Sequence, residues 1–168
     1  MDYAWTCQCC GKQFNTLPLD FAVNAPDHWF EIPDSERENR GRLTSDICII
    51  DGKNKFVRGC LEVPIIDHDD IFVWGVWVSV SAKSFDHLHE LWDADVIENE
   101  PPMFGWLCNN ISIYPATMSL KTHLYPRAGS ERPLIELEPT DHPLAVEQRT
   151  GIMLDRVQEI VAALFPRH

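Results

Sequence analysis

The run Ile71-Phe72-Val73-Trp74-Gly75-Val76-Trp77-Val78-Ser79-Val80-Ser81 constrains the fold more than any other stretch of this chain. It is apolar at both parities, so a strand built from it needs cover on both faces. A central strand is the expectation. Gly75, between Trp74 and Val76, marks a bulge or a place where another backbone comes close. Trp74 and Trp77 lie three apart and therefore face opposite sides of such a strand. Upstream, Ile47-Cys48-Ile49-Ile50 and residues 55–65 flank Asp51-Gly52, a strong hairpin signal. In the second arm Val57, Leu61, Val63 and Ile65 alternate with Phe56, Arg58, Cys60 and Glu62.

The rest of the chain supplies weaker signals. Residues 14–33 are apolar but broken by prolines, which predicts an irregular wrap over the core. Ser35-Glu36-Arg37-Glu38 has capping-box spacing and predicts an exposed helix ending near Gly41 to Leu43. Ser84 is the expected cap of a helix with Phe85, Leu88, His89 and Trp92 on one face. Further strands are expected over 104–108, 118–125 and 134–138. Thr140-Asp141-His142-Pro143 reads as a helix start with proline in the first turn. After Gly151 a longer helix should carry Met153, Val157, Ile160, Val161 and Leu164 as its apolar stripe. Strands followed by helices indicate α+β: a mainly antiparallel sheet with a few flanking helices and a C-terminal helix. With 168 residues, 45% of them hydrophobic, and neither repeat nor linker, the expectation is a single domain over 1–168.

Charge narrows the function classes. Fourteen Lys and Arg against 26 Asp and Glu give a formal net charge of −12. Phosphate binding needs a basic footprint, so nucleic acid and anionic lipid are not expected partners. The same field speeds association with a basic protein partner. No apolar run approaches membrane-spanning length and no basic-then-apolar leader opens the chain, so the expected location is the cytoplasm. Six cysteines in such a chain are expected as reduced thiols or metal ligands.

Cys7-Gln8-Cys9-Cys10-Gly11 contains a Cys-x-x-Cys-Gly turn, half of a zinc-ribbon site, expected to pack on the domain over about residues 5–14. No second close pair follows. The expected partners are therefore Cys48 and Cys60, whose side chains share a face if the Asp51-Gly52 hairpin has an odd-length loop. The resulting expectation is a structural zinc on Cys7, Cys10, Cys48 and Cys60. The competing view is that Cys48, Cys60 and Cys108 are small buried hydrophobes. Cys9 is set aside, because adjacent thiols reach one ion only with strain. Redox chemistry at Cys7 and Cys10 lacks its strand-and-helix context.

Among the polar groups, His87 and His89 sit two apart on a helix and point to different faces, while His123 shares one strand face with Lys121 and Tyr125. Asp141, His142, Glu147 and Arg149 form the densest polar cluster. It serves either as a helix cap with solvated neighbours or as a carboxylate, an imidazole and a guanidinium that converge. Six tryptophans supply core area, and an exposed one is a natural interface anchor. Trp106 joins Asp141, His142, Glu147 and Arg149 as the candidate binding set.

Several phrases also coincide: Cys7-x-x-Cys10-Gly11, Leu17-Pro18-Leu19, Phe72-x-Trp74-Gly75-Val76-Trp77-Val78-Ser79, Phe104-Gly105-Trp106-Leu107 and the long Glu138-Pro139-Thr140-Asp141-His142-Pro143-Leu144-Ala145-x-Glu147-Gln148-Arg149-x-Gly151-Ile152. Together they resemble a bacterial family known only as a domain of unknown function, number 2199. The resemblance covers nearly the whole chain and implies one bacterial cytosolic domain with no assigned activity. It also implies a histidine four residues after Cys10 as a third metal ligand. Phe14 stands there instead, which either counts against the zinc or moves the remaining ligands to Cys48 and Cys60. The leading functional expectation is an acidic, non-enzymatic binding module, of the immunity or inhibitor type, that occupies a basic partner. The alternatives are a small hydrolase or lyase using His142 and Glu147, and a zinc-stapled structural protein.

Overall fold

The computed structural model describes residues 4–7 and 10–164. In chain order the elements are β1 (Trp5–Thr6), β2 (Gln13–Phe14), β3 (Asp20–Ala22), α1 (Asp27–Glu31), α2 (Asp34–Arg40), β4 (Gly41–Leu43), β5 (Ile47–Ile50), β6 (Asn54–Pro64), β7 (Ile71–Val80), α3 (Ala82–Leu91), β8 (Met103–Leu107), β9 (Lys121–Tyr125), β10 (Leu134–Leu137), α4 (Pro143–Thr150) and α5 (Leu154–Leu164).

The architecture is α+β, but a mainly antiparallel open sheet is not what forms. Strands β6 through β10 close into a five-stranded barrel of mixed direction. The long β6–β7 hairpin is its spine, with antiparallel register from Lys55↔Val80 to Pro64↔Ile71. β8, β9 and β10 follow as antiparallel neighbours. β10 then returns to β6 in parallel through the pair Leu134↔Cys60. Each spine strand is shared lengthwise. β6 pairs with β5 at its start and β10 further on, while β7 pairs in parallel with β3 at its start and with β8 at its end. The strand at 71–80 is thus covered on both faces, as its two-sided apolar pattern requires.

Alternation along β6 sorts its side chains. Val57, Leu61 and Val63 point into the barrel, opposite Val78, Trp74 and Phe72. Leu107, Leu124 and Ile135 complete the interior, and α3, α4 and α5 seal it with Phe85, Leu88, Leu144, Val157, Ile160 and Val161. A second, smaller core lies on the outer face, where Trp77, Phe56, Cys48, Ile50 and Cys108 are buried with Ile32. Gly75 is a close approach rather than a bulge, since a Cβ there would come within 2.9 Å of the Ala22 Cβ of β3.

Residues 14–33 are more regular than their prolines suggest, because they contain β3 and α1. The helix expected from Ser35 begins at Asp34 behind Pro33, buries none of its residues fully and stops at Gly41. α3 starts one turn earlier than expected. Ser81 is its cap and accepts from the Ser84 amide, and His89 is exposed rather than on the buried stripe.

Two polar devices hold the outer parts in place. Asn109 is fully buried. Its side-chain oxygen accepts from the Trp77 amide at 2.8 Å, and its amide donates to the Ala25 carbonyl at 3.0 Å and to Asp27 at 3.1 Å. This ties the segment leading into α1 to the end of β7. On the opposite side, Gln148 of α4 donates to the Ile135 carbonyl and accepts from the Leu137 amide, both at 2.8 Å. Its amide thereby takes the hydrogen bonds of a neighbouring strand where β10 has run past β6. Among the described residues no helix is long and apolar enough to cross a membrane.

Candidate functional site

The Cys7 turn is a small hairpin. β1 and β2 pair through Trp5↔Phe14 and Thr6↔Gln13, the Cys7 amide donates to the Lys12 carbonyl, and the Gly11 amide donates back to Cys7. Phe14 stacks on Trp5 at 5.2 Å, and the Trp5 indole donates to the Thr16 carbonyl. Cys7 is buried and Cys10 exposed. Cys9 lies outside the described residues.

Cys48 and Cys60 share a face, because the hairpin loop has three residues between the paired Ile50 and Asn54. They are not neighbours, however. Cys48 pairs with Phe56, so Cys60 lies four residues further along β6, roughly 13 Å away by strand rise. Cys48 belongs to the outer core and Cys7 to the main one. The structure therefore does not bring the four cysteines together. Among the described residues no group of three His, Cys, Asp or Glu is placed to hold a metal. Burial pushes the Cys48 thiol up to about 12.

The Asp141–Arg149 cluster separates into a cap and a lock. His142 caps α4: its Nδ1 accepts from the Leu144 amide at 3.1 Å. That acceptor role places the proton on Nε2, which lies 3.1 Å from the carbonyls of both Pro115 and Ala116. Arg149 donates to the Thr140 carbonyl at 2.7 Å, and Asp141 is exposed. Glu147 turns the other way. One carboxylate oxygen accepts from the Tyr114 hydroxyl at 2.6 Å and the other from Arg156 at 2.9 Å. Arg156 also reaches Glu159 at 3.2 Å and lies 5.7 Å over the Tyr114 ring.

His142 and Glu147 thus meet the same tyrosine from two sides, the rings of Tyr114 and His142 lying 6.4 Å apart. Both nitrogens of the imidazole and both oxygens of the carboxylate have partners within the fold. Burial, then the bond to Glu147, hold the Tyr114 hydroxyl protonated well above its usual range. Burial works against the charge of Arg156, but Glu147 and Glu159 outweigh it and raise its pKa. Sequence inspection missed Tyr114 and Arg156. Tyr114 lies in a loop 33 positions before Glu147, and Arg156 sits across the helix break at Gly151, so no local spacing connects them.

Trp106 lies apart from this cluster. Phe104 and Trp106 point outward from β8, each 42% exposed, with their rings edge to face at 5.0 Å. They border an open groove of about 1130 Å³ on the outer face of the barrel, between the end of α1 and the start of α3. Lys53 and Lys55 of the β5–β6 hairpin, Ser79 of β7 and His28 of α1 also line it. Arg40 and Asp51 meet there through two parallel bonds of 3.0 and 3.1 Å. The Arg40 bond holds the Asp51 carboxyl below its ordinary range.

No curated protein and no solved structure matches the chain. One family does, over residues 6–152, a span that contains the hairpin turn, the whole barrel and α4. The chain belongs to the family described as an uncharacterized protein conserved in bacteria, DUF2199.

Proposed function

We propose that the chain is a non-enzymatic binding module of the immunity or inhibitor type, which occupies a basic protein partner through the outer side of α3 and residues 92–100. The observation that carries this is the setting of Val96. It is 68% exposed, within a stretch from Ser84 to Leu120 that has no Lys or Arg. Asp86, Glu90, Asp93, Asp95, Glu98 and Glu100 fall in that stretch, and all but Glu100 are exposed. An exposed apolar side chain within a stretch rich in exposed carboxylates fits the anchor-and-rim layout of protein interfaces. The net charge of −12 adds steering toward a positive surface. His87 is the local counterweight. It lies 2.9 Å from Glu100, and that bond raises its pKa, so acid conditions add positive charge to this face.

This reading is preferred to a hydrolase or lyase because His142 and Glu147 already have their hydrogen-bonding partners inside the fold. The test is a pull-down from the native host with the intact protein and with a variant carrying Asp93→Lys, Asp95→Lys and Glu98→Lys. A stoichiometric basic protein, retained by the intact chain and lost with the variant, is expected. Recovery of no stoichiometric partner, or equal recovery by both, overturns the proposal.

A further inference from the structure

The groove beside Trp106 has a charge unlike the rest of the molecule. The chain has five lysines, two of which line the groove and two of which adjoin its lining residues in sequence or register. Lys53 and Lys55 line the groove. Lys83 is exposed and directly precedes Ser84, another lining residue. Lys121 is the cross-strand partner of Trp106 and projects from the same outward face. None of the four has an ion pair among the described residues, whereas Arg37, Arg40, Arg127, Arg132 and Arg156 all do. The Lys55 ammonium rests 5.3 Å over the Phe85 ring instead. Two carboxylates line the groove, and Arg40 neutralises one of them, Asp51, which leaves Glu31 alone against the lysines.

Solvated surface lysines beside a snorkelling tryptophan would account for each residue singly. They do not account for two lysines without ion pairs lining one groove of an acidic protein together with exposed aromatic rings. We propose that this groove binds a small anionic ligand with a flat ring, of the nucleoside phosphate class. The ring lies against Trp106 and Phe104, and the phosphates reach Lys53 and Lys55. Aromatic stacking on such platforms is tolerant of which base is offered, and lysine is a common point-charge partner of phosphate. The volume, about 1130 Å³, exceeds what such a ligand needs. Size is limited electrostatically: a longer polyanion would run its further phosphates over a body of net charge −12. The inference is independent of the acidic face, which uses other residues.

The test titrates the full chain with ADP, following tryptophan fluorescence and heat. Inorganic pyrophosphate serves as the ringless control. Saturable ADP binding with Kd below about 1 mM is expected, weakening as salt rises. Trp106→Ala should weaken ADP about tenfold or more, the scale of a lost stacking contact, and leave pyrophosphate unchanged. The double variant Lys53→Ala, Lys55→Ala should weaken both ligands about tenfold or more, as loss of charge-assisted bonds does. All four substituted or neighbouring groups lie at the surface, and unchanged thermal melts verify the fold. Absence of saturation with ADP and with GDP, or ADP affinity unchanged in both variants, overturns the proposal. A short single-stranded RNA that binds more tightly than ADP overturns it as well.

Discussion

Replacing Asn109 tests how the wall of the groove is held. Asn109→Leu keeps the side chain's approximate size but removes every polar atom. The Trp77 amide and the Ala25 carbonyl, both in residues with no exposed surface, then lose their partner. The third partner, Asp27, is only half-buried, and its other oxygen still accepts from the Asn110 amide at 2.8 Å. A stranded buried group costs about 1–3 kcal/mol, so two predict a loss of about 4 kcal/mol. For a chain of this size that is roughly a 10 °C fall in Tm. Guanidinium unfolding at neutral pH, with the m-value compared to exclude a changed end state, measures it directly. Asn109→Asp keeps the acceptor for Trp77, loses the donor for Ala25 and sets a second carboxylate against Asp27. Burial and that like charge raise the folded pKa of the new carboxyl. Its penalty is therefore full at neutral pH and fades as the pH falls through that raised value. A loss below about 1 kcal/mol for Asn109→Leu, with an unchanged m-value, would refute the argument that this amide pins the segment before α1.

Other perturbations address separate parts. Gly105→Ala would drive a Cβ into Val78 Cγ1 and within 2.8 Å of the Ser79 carbonyl; a destabilisation of about 1–3 kcal/mol is expected in urea unfolding, and a neutral effect would show that β7 and β8 yield there. The Cys48 thiol is held protonated to about 12, against 9.0 for an ordinary thiol, so its contribution is complete below about pH 9 and is lost between those values. Stability should accordingly drop more from pH 8 to pH 10 in the natural chain than in Cys48→Ala, and equal drops would contradict the burial argument. Alkylation at pH 8 should label exposed Cys10 in the folded protein and Cys48 only after unfolding; early Cys48 labelling would count against its position in the outer core. Finally, Cys48→Ala and Cys60→Ala should leave the zinc content of the purified protein as it is in the natural chain, whatever that content is. A drop with either would mean that the cysteines reach one ion despite their strand separation.

The parts of the fold that were legible depend on local pattern. The two-sided apolar run became β7 and the Asp51-Gly52 turn became the β5–β6 hairpin, because periodicity and turn chemistry act within a few residues. Barrel closure was not legible, since it rests on one parallel pair, Leu134↔Cys60, between strands about seventy residues apart, and such pairing leaves no trace in spacing. The shared face of Cys48 and Cys60 followed from strand parity. Their separation followed from register, which the turn length sets and composition does not. At the C-terminal cluster the capping role of His142 could be read from Asp141-His142-Pro143. The Glu147–Tyr114–Arg156 lock needed the tertiary packing of three segments. The residues that line the groove are spread from His28 to Ser119. Only the folded chain shows that they border one surface.

The Gln148 amide has a consequence for the molecule's behaviour in a crowded solution. Exposed strand edges recruit other strands, and that is a common route from a folded monomer to insoluble aggregate. Beyond Leu134, β10 would offer such a template, with the Ile135 carbonyl and the Leu137 amide both ready to bond. A single side chain answers both groups and offers an incoming chain no ladder to extend. Loss of that one amide should thus cost stability as well as solubility, since both groups belong to buried residues and would be left without a partner.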